Sequence, residues 1–67
     1  MWTQKIGENA GKVWTALNGQ GPMGLDQLKT ATRLKDNNLC LALGWLAREG
    51  KIVAVQDKRK LTVLLAE

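Results

Sequence analysis

This chain of 67 residues contains no histidine, serine, tyrosine or phenylalanine, and only one cysteine and one proline. Each absence removes a class of function. With no histidine and a single Cys40, a zinc ion has too few ligands and no intrachain disulfide can form. Cys40 is read as a small, partly buried filler in a reducing cytoplasm, since no histidine is available to activate the thiol. Without serine, histidine or tyrosine the usual nucleophile–base pairs cannot be assembled, and the carboxylates Glu8, Asp26, Asp36, Glu49, Asp57 and Glu67 are scattered along the chain. The expectation is a protein that is not an enzyme and holds neither cofactor nor metal. GQGPMG has the glycines of a phosphate-binding loop but lacks a preceding strand and a Lys-Ser/Thr ending, so it reads as a helix breaker.

Long apolar runs are absent too. LCLALGWLA is far too short to span a bilayer, and MWTQKIGEN has none of the features of a secretory leader, so a cytoplasmic protein with no membrane partner is expected. What remains is an ordinary soluble composition, 45% apolar and 24% charged, at a length that suits one small domain over 1–67. The net charge of +4 is unevenly placed. Lys5 and Lys12 balance Glu8 and Asp26 in the first 28 residues, so the whole excess lies in residues 29–67, where an anionic partner would be met. A modest charge kept for solubility is the plainer alternative.

Four segments follow from the periodicities. In residues 3–18, Ile6, Ala10, Val13 and Leu17 share one helical arc, with Trp14 at its edge and Trp2 a turn upstream. Trp14 and Leu17 are expected to give the core the bulk that Phe and Tyr do not supply. The helix is not expected to continue through NGQGP, and the residues around Pro22 and Met23 are expected to form a short extended piece. GLDQLKTAT reads as a second helix. Gly24 is its N-cap, Met23 and Leu28 stand at staple spacing, and Gln27 reaches back to the Gly24 N–H. A third helix begins near Asp36, with Leu39, Ala42, Leu43 and Leu46 inward and Gly50 at its end. KIVAVQ and LTVLL then read as strands of a hairpin around DKRK, with no Asn-Gly or Asp-Gly to define the turn.

Helix, extended piece, helix, turn, helix, hairpin is the order of a winged helix-turn-helix, an α+β fold with a three-helix bundle, a C-terminal β-hairpin wing and a short edge strand. IGENAGKVW together with LALGWLAREGKI resembles a family of short bacterial and archaeal winged helix-turn-helix proteins of unknown function. That resemblance spans nearly the whole chain. It implies the fold and a nucleic-acid role, and no demonstrated activity.

Two readings of function stand side by side. In the first, the protein binds double-stranded DNA and regulates transcription. Its third helix (about 36–49) enters the major groove, and a basic wing lies on the phosphates. Asn37 and Asn38 are the candidates for reading bases, and Arg48 lies further along the outer side. Arg33, Lys35, Lys58, Arg59 and Lys60 are candidates for phosphate contact. Charged hairpin tips and asparagines near helix starts also occur for solubility and capping alone. In the second, the leucine and tryptophan on the outer side of that helix form an apolar patch. Leu41, Gly44 and Trp45 would then serve a protein partner or a homodimer. RNA is less attractive, since Trp45 alone offers a stacking platform.

Overall fold

The computed structural model describes residues 2–66, without the Trp2 side chain, so the expectation for Trp2 falls outside the described set. The element order is α1 (Trp2–Gln20), β1 (Met23–Gly24), α2 (Leu25–Thr32), α3 (Asp36–Arg48), β2 (Ile52–Asp57) and β3 (Lys60–Leu65). The strands form one antiparallel sheet in the order β1-β3-β2, with Met23 opposite Val63 and Ala54 opposite Val63 on its other side. Val63 therefore sits where the three strands meet, and it is fully buried.

The arc expected on α1 is the one that packs: Ala10, Val13 and Leu17 are buried, while Ile6 is partly covered. Leu28 from α2, Leu39, Ala42 and Leu46 from α3, and Met23, Ile52 and Val63 from the sheet complete the same cluster. Leu43 packs against its margin. Trp14 does not join it. The ring lies at the edge of the arc and remains 40% exposed, so Leu17 fills the space without it. Cys40 is also exposed, on the side of α3 turned away from the core, and is no filler.

The ends of the elements follow their local chemistry. α1 continues through Gly19 and Gln20, two residues past its expected stop at Asn18. It ends where Gly21 takes a left-handed φ of 79° and its N–H reaches the Leu17 carbonyl at 2.8 Å. α2 starts as expected, with the Gly24 N–H donating to Gln27 Oε1 at 2.8 Å and Met23 and Leu28 both buried. At the end of α3, Gly50 is left-handed. Its N–H meets the Ala47 carbonyl and the Lys51 N–H meets the Leu46 carbonyl, the paired bonds of a Schellman ending.

The turn between α2 and α3 is held by Thr32. Its hydroxyl donates to the Leu28 carbonyl at 2.6 Å and accepts the Leu34 N–H at 3.3 Å, so the buried backbone N–H of Leu34 keeps a partner. The hairpin is tighter than DKRK suggested. Asp57 and Lys60 are the last cross-strand pair, and only Lys58 and Arg59 form the loop.

Two substitutions measure these contributions in chemical denaturation. Leu28→Ala empties a fully buried site and is expected to cost about 2–5 kcal/mol. Thr32→Val keeps the volume but strands the Leu34 N–H, at about 1–3 kcal/mol. A Thr32→Val protein as stable as the parent would remove the hydroxyl from this account.

Candidate nucleic-acid interface

Inward-facing Leu39, Ala42 and Leu46 leave the opposite side of α3 to Asn37, Leu41, Gly44 and Arg48, all exposed. Asn38 is half-buried on the flank. A side chain built at Gly44 would meet no atom within 4 Å, so the middle of this side is open. Asp36 to Arg48 spans about 18 Å at the rise of an α-helix, so Asn37 and Arg48 occupy opposite ends of α3.

The basic residues form two sets on different turns. Arg33 and Lys35 lie in the link between α2 and α3, with Lys35 as the N-cap, its carbonyl accepting the Leu39 N–H at 2.9 Å. Lys58, Arg59 and Lys60 lie at the hairpin tip, and Arg59 and Lys60 line a groove with Gly24, Asp26 and Gln27 at the start of α2. All five are exposed. Each set carries one residue in an unusual backbone conformation: Arg33 has φ 59° and Lys58 has φ 58°, the left-handed region that ordinarily favours glycine or asparagine.

Asp36 opens α3 with a carboxylate, which suits the helix dipole but opposes an approaching phosphate. Lys29 offsets it. The Lys29 Nζ lies 2.7 Å from Asp36 Oδ1. The hydrogen bond to Asp36 first, and the attraction of the same carboxylate second, hold the Lys29 ammonium above the ordinary lysine value of 10.5; slight desolvation opposes them and Asp26 adds to them.

The family described as a winged helix-turn-helix domain (DUF2582) matches residues 1–65. The chain belongs to that family. An uncharacterized protein of Methanocaldococcus jannaschii, MJ1608, is 41% identical over 68 residues, covering 97% of this chain and 94% of the relative. The solution NMR structure of BT2368 from Bacteroides thetaiotaomicron superposes with a TM-score of 0.89 at 35% identity, over 97% of this chain and 79% of that one. The winged helix-turn-helix fold is thereby established, with α2 and α3 as the helix-turn-helix and β2–β3 as the wing. No helix among the described residues is long and apolar enough to cross a membrane.

The apolar residues on the outer side stay uncovered: Leu41 is 45% and Trp45 39% exposed. Trp14 joins them. Trp14 and Trp45 line one groove of about 460 Å³ between α1 and α3, with Gly7 and Gly11 in its α1 wall. The sequence signal for Trp14 was its place at the edge of the α1 arc, where one rotation of the helix decides between core and surface.

The Lys29–Asp36 pair has a checkable sign. A raised lysine pKa contributes stability that is complete below the ordinary lysine value and lost as pH climbs through the higher folded one. In an NMR titration, the Lys29 ε-methylene shifts should turn over above the ordinary lysine value of 10.5. Asp36→Asn should bring the turnover down towards that value; a Lys29 curve unchanged by that substitution would refute the pairing.

Proposed function

We propose that this protein binds double-stranded DNA as a cytoplasmic regulator of transcription. In this reading α3 lies in the major groove, Asn37 and Asn38 meet base edges near its start, and Arg48 meets the backbone at its far end. Arg33 and Lys35 on one side and Lys58, Arg59 and Lys60 of the wing on the other contact phosphates.

One observation carries the reading. Among the described residues, the two non-glycine residues with left-handed φ are Arg33 and Lys58, both exposed, both cationic, and one in each basic set. A glycine at either turn would relieve about 1 kcal/mol of backbone strain. A cation kept at such a position favours charge over the local stability of the turn, as happens where a surface must meet a polyanion.

Arg33→Gly and Lys58→Gly separate the two effects. Each should raise the stability of the free protein by about 1 kcal/mol. Each should also weaken binding to duplexes of any sequence and make the slope of log K against log salt shallower by about 0.9. Fluorescence anisotropy with a labelled random duplex reads the binding. Variants that gain stability with unchanged affinity would sink the phosphate-contact role, and a parent that binds no duplex at low salt would sink the function.

A second reading is favoured by the exposure of Leu41, Trp45 and Trp14. These side chains, with Gly44 admitting a close approach, suit an apolar partner protein. Leu41→Asp or Trp45→Asp should abolish such a contact and leave the circular dichroism spectrum unchanged. If DNA affinity falls with them and no protein complex is lost, the patch belongs to the DNA-facing side instead.

A further inference from the structure

Strand β2 is an edge of the sheet, and it lacks the devices that keep edges apart. Between Ile52 and Gln56 there is no proline and no charge, and the pairing with β3 runs without a bulge. Past Ile52 every residue of β2 is exposed, including Val53 at 45% and Val55 at 49%. The bond from the Ala66 N–H to the Lys51 carbonyl, 2.9 Å, fixes the parity of the strand. Odd-numbered residues turn their backbone groups to β3, so Ile52, Ala54 and Gln56 turn theirs to the open edge.

We infer that β2 pairs antiparallel with β2 of a second copy of this chain, about a two-fold axis at Ala54, to give one continuous six-stranded sheet. This register satisfies the outward backbone groups. Ala54 exchanges two hydrogen bonds with its counterpart, and Ile52 exchanges two with Gln56 of the other copy on each side of the axis. Val53 then stands opposite Val55 in a non-hydrogen-bonded pair, the arrangement that brings side chains closest, so the exposed valines of both copies meet on one face.

Charge selects the register. With Ala54 on the axis, Lys51 of each copy faces Asp57 of the other. Moving the axis to Val55 sets Lys51 against Arg59 and Val53 against Asp57. Moving it to Val53 sets Asp57 against Glu49 and Val55 against Lys51. Only the central register opposes unlike charges and pairs apolar side chains together. Lys58 and Arg59 lie beyond the paired stretch, so the inference does not depend on DNA binding, and it uses a different surface from Leu41 and Trp45.

Sedimentation equilibrium from micromolar to millimolar concentration tests it, alongside amide exchange. The parent should dimerise as concentration rises, with the Ala54 and Gln56 N–H groups becoming protected. Ala54→Pro removes an N–H that serves the partner and not β3, and should leave a monomer. Lys51→Asp alone should weaken the dimer about tenfold, because the two-fold axis doubles the effect of each like-charge pair. Adding Asp57→Lys to it should restore the parent's dimer, a rescue that a folding defect cannot imitate. A parent that is monomeric at millimolar concentration overturns the inference. So does a dimer indifferent to the charge swap, or one broken by Trp45→Asp while the Ala54 N–H exchanges freely.

Discussion

With no phenylalanine or tyrosine in the chain and with Trp14 and Trp45 left at the surface, the apolar cluster of the described core is built from Leu, Val, Ile, Met and Ala. Such side chains are short, so the three helices and the inner face of the sheet must close on them from every side to exclude water. That requirement orients everything else. Val13, Leu28, Ala42 and Val63, one from each of α1, α2, α3 and β3, are almost completely withdrawn from solvent. Once Leu39, Ala42 and Leu46 point inward, the side of α3 available to a partner is fixed.

The turns transmit that orientation to the surface. Thr32 closes α2 on its own backbone and holds the Leu34 N–H, Leu34 is drawn into the core, and Arg33 between them is forced outward in a left-handed conformation. The Lys29–Asp36 pair bridges the same corner. The relation between α2 and α3 is thus set by a few local contacts, and the same contacts present the cationic side chain. At the wing tip the cross-strand pair of Asp57 and Lys60 plays the corresponding part for Lys58 and Arg59.

Much of the fold was legible because each helix carries a narrow apolar arc and recognisable ends. Met23, Gly24, Gln27 and Leu28 announced the start of α2, and Gly50 the end of α3. Other features turn on contacts that sequence spacing does not encode. Gly19 gave no stop because a glycine is tolerated within a helix, and Gly21 two residues later had the required left-handed geometry. The exposure of Trp14 and Cys40 is not legible in the sequence, because an angular position cannot say how far the neighbouring element extends. Of the candidate site, the cations could be read from the turn and hairpin-tip residues, and the outward angle of Leu41 and Trp45 from the wheel, but whether a neighbouring element covers those two could not. The strain at Arg33 and Lys58 could not, because neither residue type signals a left-handed turn, and the Lys29–Asp36 bond depends on the angle between two helices.

Placing Trp14 and Trp45 outside the core also changes what light reports about this protein. Indole emission follows the polarity around the ring, and these two rings, 40% and 39% exposed, are already in contact with water in the native state. Anything that settles into the groove between α1 and α3 displaces solvent from both at once. Intrinsic fluorescence from these two side chains is therefore a sensor of occupancy for that groove.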